Sequence, residues 1–292
     1  MSVIEATPIG GKIRSLISKF SRHTPMFRGK GRIVLLVDGW LTDTSTAESS
    51  TVMDTINNLA HFHFDLRPWG QKFAYYYGEW ERDHINMIRR LYHGGIFVDV
   101  GSSLGLYVVC MGDLVANAGA SILSVEPVPQ NLVRQKRNVE LNNYQDLVRY
   151  YQVGLGSEAR ELRIGFDETS GDNNAIIGKD GGISIPVMTL DQLVRDSGCE
   201  RVGLVKRDVE GYEPEVIEGA YETIVRYRPV VFAEFNRERM AINGFEMMRS
   251  WSFFLNNGYE AFQLSGKDLT LLEQPGDIEN IYFLPQGLRI DG

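Results

Sequence analysis

The stretch Ile96-Phe97-Val98-Asp99-Val100-Gly101-Ser102-Ser103-Leu104-Gly105 constrains the fold of this chain more than any other. An apolar run holding a single Asp leads directly into a turn punctuated by glycine, and Leu104 to Ala116 then reads as a helix. A buried strand, a tight turn and a helix N-terminus are the usual place for an α/β protein to hold a nucleotide-like ligand. Gly101 suits a sharp turn with positive φ, and Gly105 suits close approach of a ligand or strand to the backbone. A bare βα turn satisfies the same residues equally well, so the rest of the chain has to decide.

Downstream, strand and helix patterns alternate. Ser121 to Val125 reads as a strand ending in Glu126-Pro127, Pro129 to Asn142 as a helix, and Leu147 to Val153 as a strand closing on Gly154-Leu155. Val202 to Asp208 and Pro229 to Phe235 read as further strands, with a helix beginning at Pro214. Tyr259 to Leu264 and Asn280 to Leu284 follow, and the short connection through Gln274-Pro275-Gly276 makes them antiparallel neighbours. The alternation predicts an α/β fold with a mostly parallel sheet, helices on both faces and one antiparallel strand near the C-terminus. Between these elements, Glu161 to Phe166 and Ile183 to Met188 alternate with period two. They predict an inserted hairpin over about 161–188 whose long polar tip, Asp167 to Gly182, is of the kind that often carries function.

Upstream of the core the patterns are weaker. Arg32 to Trp40 reads as a buried strand, Leu41 to Thr51 as loop, Thr51 to Ala60 as a helix, and His61-Phe62-His63-Phe64 as a strand. The two histidines then share a face, but with no third ligand nearby an edge role outweighs a metal one. Residues 1–70 are expected to be an N-terminal extension serving as a lid or homo-oligomer contact, and residues 71–292 the main domain. The net charge of −8 argues against a general nucleic-acid surface, which needs a positive field. Cys110 and Cys199 are the only cysteines and form no CxxC pair, which fits a reducing compartment. No window approaches a membrane span and the N-terminus has no apolar signal region, so a cytoplasmic protein is expected.

Three constellations carry chemistry. The first is Asp99-x-Gly101-x-x-x-Gly105 with Glu126 at the end of the next strand, where a carboxylate can accept hydrogen bonds from both ribose hydroxyls. It suits a dinucleotide or S-adenosylmethionine. Ser103 stands where a G-x-G-x-x-G turn has its middle Gly, and Asp99 repels pyrophosphate, so a cationic sulfonium ligand is favoured over NAD. The second is Lys206-Arg207-Asp208-Val209-Glu210-Gly211. Three consecutive charges on a central strand belong at its C-terminal mouth, where Asp208 or Glu210 can act as general base or divalent-cation ligand and Lys206 can orient substrate. The third is Glu234, at the end of the next strand, a candidate metal partner of Asp208.

Taken in order, Asp99-Val-Gly-Ser-Ser-Leu-Gly, Glu126-Pro127, Thr189-Leu-Asp-Gln-Leu193 and Lys206-Arg-Asp-Val-Glu-Gly-Tyr-Glu213 resemble the FkbM-type family of S-adenosylmethionine-dependent methyltransferases. Gly78-Glu-Trp-Glu81 is similar to that family's lead-in, and the resemblance spans roughly residues 71–285. It implies a Rossmann-like class I methyltransferase sheet and methyl transfer to an oxygen of a sugar, glycan or secondary metabolite. Asp99, Gly101, Ser102 and Gly105 are then expected around the methionine part of the donor, Glu126-Pro127 at the ribose, and Gly154-Leu155 at the adenine. Asp208 is expected to take the hydroxyl proton with Lys206 and Glu210 close by, and the hairpin tip to cover the acceptor. Two departures stand out: Ser103 replaces the usual Asn, and Arg207 replaces an apolar residue. Arg207 either distorts the strand end or holds an anionic substrate. A dinucleotide oxidoreductase and a non-catalytic module that keeps the fold are the competing readings; no Tyr-x-x-x-Lys relay supports the first.

Overall fold

The computed structural model describes residues 9–24, 31, 32, 34, 36, 51–166, 175–177, 182–276 and 279–288. They fall into two compact units, one running to Trp80 and one beginning at Glu81.

The first unit contains α1 (Ile9–His23), β1 (Thr51–Ile56), β2 (Ala60–Asp65) and α2 (Trp69–Tyr77). β1 and β2 form an antiparallel hairpin, which corrects the helix expected over Thr51 to Ala60. Thr51, Val52, Thr55 and Ile56 are β-branched and fit a pleated surface better than a helix. Asn57 and Asn58 turn the chain with φ of 55° and 57°, a conformation Asn tolerates. Asn57 is held there by paired hydrogen bonds with the backbone of Trp80. Phe62 and Phe64 are fully buried while His61 and His63 lie on the opposite, outward face. The buried strand expected from Arg32 is a second correction, because Arg32, Val34 and Leu36 are helical. A short apolar run cannot be assigned to strand or helix by its period alone. The rest of that run and the loop after it lie outside the described residues.

The second unit runs through α3 (Arg82–Leu91), β3 (Ile96–Val100), α4 (Leu106–Asn117), β4 (Ile122–Val125), α5 (Pro129–Leu141), β5 (Val148–Tyr151) and β6 (Gly154–Leu155). It continues with β7 (Arg160–Phe166), β8 (Ala175–Ile177), β9 (Ile183–Met188), α6 (Leu190–Asp196), β10 (Val202–Arg207), α7 (Glu213–Glu218), α8 (Tyr221–Tyr227) and β11 (Val230–Glu234). It closes with α9 (Arg237–Ile242), α10 (Met247–Asn256), β12 (Tyr259–Ser265), β13 (Asp268–Leu271) and β14 (Asn280–Pro285).

The main sheet has the order β13-β12-β14-β11-β10-β3-β4-β5. β5, β4, β3, β10 and β11 are parallel, and β14 runs against both of its neighbours. The Rossmann-like α/β sheet expected from the sequence is therefore present, with a short antiparallel β13 added at one edge. All five residues of β3 are buried, as a central parallel strand covered on both faces requires. From β3 the chain winds outward through β4 and β5, then returns to place β10 on the other side of β3. That reversal leaves a crevice at the strand ends, the topological switch point where open α/β sheets bind ligands.

β7 and β9 pair antiparallel in a second sheet of order β6-β9-β7-β8. Most of the polar tip expected between them lies outside the described residues. The Thr189-Leu-Asp-Gln-Leu193 segment has a structural task. The Thr189 hydroxyl accepts the Gln192 N–H at 3.0 Å and caps α6, while Asp191 accepts the N–H groups of Glu222 and Thr223 at the start of α8. One segment thus satisfies orphan donors of two helices.

Candidate active site

The crevice is built around the turn after β3. The Gly101 and Ser102 N–H groups donate to Val125 O at 3.0 and 3.1 Å, and Asp208 N donates to Val100 O at 3.1 Å. These bonds clamp the turn between the ends of β4 and β10. Gly101 has φ of 70°, and a Cβ there would lie 1.8 Å from Asp208 O. Only glycine fits. Ser103 follows with φ of 47°, which turns its N–H toward Glu126.

Glu126 is 4% exposed. Its Oε2 accepts from Ser103 N at 2.8 Å, and its Oε1 accepts from Val128 N at 2.9 Å and from Asn131 Nδ2 at 3.4 Å. Burial pushes this carboxyl above the usual range, and these donors pull it back. A carboxylate has about four acceptor sites, so a fixed Glu126 retains capacity for ligand hydroxyls.

Around it, Val128, Leu155, Leu162, Ile164 and Ile185 make an apolar wall, and Asp208, Val209, Glu210 and Tyr212 close the other side. The crevice encloses about 780 Å³ of empty space open to solvent. Among the described residues its lining carries three carboxylates, Glu126, Asp208 and Glu210, and neither Lys nor Arg. A pyrophosphate would meet negative charge with no cation among these lining residues, whereas a cationic ligand is favoured.

Behind the turn, Lys206 joins several groups. Its Nζ donates to Gly101 O at 2.9 Å and lies 3.3 Å from Asp99 Oδ1 and 3.8 Å from Asp208 Oδ2. It also sits 5.2 Å over the Tyr107 ring, whose hydroxyl donates to Glu81. Burial alone lowers the affinity of Lys206 for its proton, but Asp99, Asp208, Glu81 and Glu234 together hold it above the usual lysine range. Asp99 is fully buried, and burial pushes its carboxyl up against the pull of Lys206. Glu234, half-buried at the end of β11, is pushed up to about 8 by burial first and by the neighbouring Asp208 and Glu81 second.

Arg207 points to the other face of β10. It is 2% exposed, with its guanidinium 5.0 Å over the Phe235 ring. Burial lowers it to about 10, and Glu213, itself buried, opposes that shift. From Leu204 onward the parallel pairing keeps its register through Arg207↔Val100 and Arg207↔Ala233. Arg207 therefore neither distorts the strand end nor lines the crevice, which corrects both expectations for it.

Of the residues picked from sequence, Gly101, Glu126, Pro127, Gly154, Leu155, Asp208 and Glu210 line the crevice together. Asp99 and Lys206 form the buried pair beneath it. Ser102 faces inward, its hydroxyl 2.8 Å from Ser124 Oγ, and Gly105 is pressed by the Gln135 side chain. Glu234 is brought near Asp208 electrostatically but does not line the crevice. Among the described residues, no group of three or more His, Cys, Asp or Glu is placed to hold a metal ion, and this covers Asp208 with Glu234 and the pair His61 and His63. Sequence reasoning missed the wall formed by Leu162, Ile164 and Ile185. It also missed Tyr107 and Glu81. The period-two pattern of the hairpin marked the first group's inward positions, but nothing marked what they face.

A family model for the methyltransferase FkbM domain matches residues 99–261, more than half of the chain. The chain belongs to this family. Members are methyltransferases, and the fold implies S-adenosylmethionine as methyl donor. The dinucleotide reading is set aside, in agreement with a crevice whose charged lining, among the described residues, is carboxylate. Among curated relatives, the methyltransferase sdnD of Sordaria araneosa is 29% identical, the match covering 50% of this chain and 68% of that protein. The 2-O-methyltransferase NoeI of Sinorhizobium fredii is 26% identical over 41% of this chain and 56% of its own. The hexuronic acid methyltransferase AglP of Haloferax volcanii is 25% identical over 41% and 48%. The chain thus spans about half the length of the latter two. Among solved structures, an FkbM methyltransferase from Methylobacillus flagellatus aligns with 94% of this chain and 60% of its own, at 15% identity and a TM-score of 0.45. Among the described residues, no helix is long and apolar enough to cross a membrane.

Proposed function

We propose that this FkbM-family protein is an O-methyltransferase acting on a hydroxyl of a sugar, glycan or secondary metabolite. The observation that carries the reading is the set of carboxylates Asp208, Glu210 and Glu234 at the ends of adjacent strands, beside a crevice that suits an adenosine-containing cation. One relative named as a 2-O-methyltransferase and another named as a hexuronic acid methyltransferase support this reading.

When bound, S-adenosylmethionine supplies a methyl group on a positive sulfur, open to in-line attack. The chain's own residues do the rest. Glu126 holds the ribose hydroxyls, while Leu155, Leu162, Ile164 and Ile185 enclose the adenine in apolar surface. The buried Asp99–Lys206 pair fixes the Gly101 turn through the Lys206 bond to Gly101 O. Asp208 accepts the acceptor's hydroxyl proton as the oxygen is alkylated, because an alcohol is too weak an acid to lose it unaided. Alignment of the two reactants supplies much of the acceleration.

Calorimetry with S-adenosylhomocysteine tests the donor half, with saturable binding expected for the wild type and a loss of at least about tenfold in Glu126→Ala. Turnover on a panel of hydroxylated acceptors tests the second half. Tight donor binding with no methylated product on any of them would leave a non-catalytic module as the better reading.

A further inference from the structure

The helix α1 is packed inside out. A surface helix normally turns its apolar stripe to the core and its polar side to water. In α1 the buried positions are Arg14, Ser18 and Ser21. Ser18 Oγ donates to Tyr75 O of α2 at 3.1 Å, and Arg22 donates to the same oxygen from Nε at 3.0 Å and Nη2 at 2.6 Å. Arg22 Nη1 also lies 3.2 Å from Asp54 of β1. These polar bonds fix which side of the helix faces inward. The outward side then carries Leu16 and Phe20, 66% and 71% exposed, with Lys19 and His23 exposed beside them. Their spacing of three and four residues sets the four side chains on one stripe.

Charge is distributed in the same sense. The first 32 residues hold seven Lys and Arg against the single acid Glu5, a net +6 in a chain whose total is −8. Residues 33–292 therefore carry −14. Arg14 is buried and Arg22 is tied to Asp54, so Lys12, Lys19, Arg28, Lys30 and Arg32 supply the remainder of that positive charge, with Lys19 and Arg32 exposed.

We propose that the outward face of α1 docks on an anionic lipid surface. Leu16 and Phe20 enter the boundary between headgroups and acyl chains, while Lys19 and the neighbouring cations meet the headgroup phosphates. The fifteen residues of α1 make a helix of about 22 Å. That is shorter than the hydrocarbon core of a bilayer, so the helix lies in the interface and does not span it. The same face suits two other occupants less well. A second copy of the chain would set this basic segment against itself. A nucleic-acid backbone would satisfy Lys19 but would leave Leu16 against phosphates, with no apolar partner. Docking of α1 is independent of the methyl-transfer chemistry.

The experiment mixes the whole chain with sedimentable vesicles of phosphatidylcholine, either alone or mixed with phosphatidylglycerol, and measures the protein that pellets. Affinity for the mixed vesicles is expected to exceed that for phosphatidylcholine alone at least about tenfold, and to fall as added NaCl screens the attraction. Lys19→Gln is expected to weaken binding about fivefold, and the double variant Leu16→Ser/Phe20→Ser at least about tenfold. Because these side chains are exposed and outside the crevice, the variants are expected to keep the wild-type circular dichroism and S-adenosylhomocysteine affinity. Equal pelleting by both kinds of vesicle, or by neither, overturns the proposal. Vesicle binding that the double variant leaves unchanged overturns the assignment to α1. A dimer in sedimentation equilibrium that the double variant dissociates, without vesicle binding, makes the face a contact between copies and also overturns it. Retention of an RNA oligonucleotide in place of vesicles does the same.

Discussion

At the residue scale, burial decides what each charge can do. Lys206 and Asp99 are nearly inaccessible and have each other, so their contribution is to hold the turn in place. Lys206→Met strands a buried carboxylate and is expected to cost about 3–5 kcal/mol in a urea titration. Gly101→Ala is expected to be worse for function than for fold. The φ of 70° alone costs about 1 kcal/mol or more, and the displaced turn is expected to abolish S-adenosylhomocysteine binding measured by calorimetry. Glu234 sets the pH response. Its carboxyl is raised to about 8 in the folded chain, so it stays protonated there across a range in which the unfolded chain has already ionised. It favours the folded state fully below its ordinary pKa, and that contribution is lost as pH rises from there through about 8. In kinetics, kcat/KM is expected to rise along a limb near pH 8 as Glu234 ionises beside Asp208, and Glu234→Gln is expected to remove that limb.

At the element scale, the inserted hairpin is part of the donor crevice. Ile164 and Ile185, at 2% and 4% exposure, pack on Val128 beside the path from Glu126. Ile185→Asp is expected to weaken S-adenosylhomocysteine by at least about tenfold, since it buries a charge against the apolar wall. Circular dichroism is expected to show the main sheet intact. The Thr189–Leu193 segment is the contrasting case, a family-like motif whose work is capping. Asp191→Ala removes both bonds to the N-terminus of α8 and is expected to lower stability by about 1–2 kcal/mol, read as a lower Tm, with donor affinity kept.

At the scale of the whole molecule, the sign of the crevice is the property that matters. Among the described residues Glu126, Asp208 and Glu210 line it without a Lys or Arg, so ligand preference should follow charge. S-adenosylhomocysteine at about a hundredfold over its Kd is expected to stabilise the chain by about 2.7 kcal/mol. NAD at the same concentration is expected to leave the thermal transition unmoved.

How much of this was legible in the sequence depends on how local the cause is. Gly101, Glu126 and Asp208 stand out because strand, turn and helix signals surround them, and the parallel sheet follows from regular alternation of buried strands and helices. The N-terminal patterns misled because a short apolar run such as Ile33 to Val37 fits strand and helix alike, and β1 formed where the turn at Asn57-Asn58 allowed a hairpin. By itself, then, the sequence determined the Gly turn, the strand-end carboxylates and the alternation that makes the sheet. Only the tertiary structure decided that Arg207 turns into the core, that Leu162, Ile164 and Ile185 wall the crevice, and that Glu81 meets Tyr107 beside Lys206. The physical reason is that facing and burial are set by contacts between segments far apart in the chain, which no local pattern encodes.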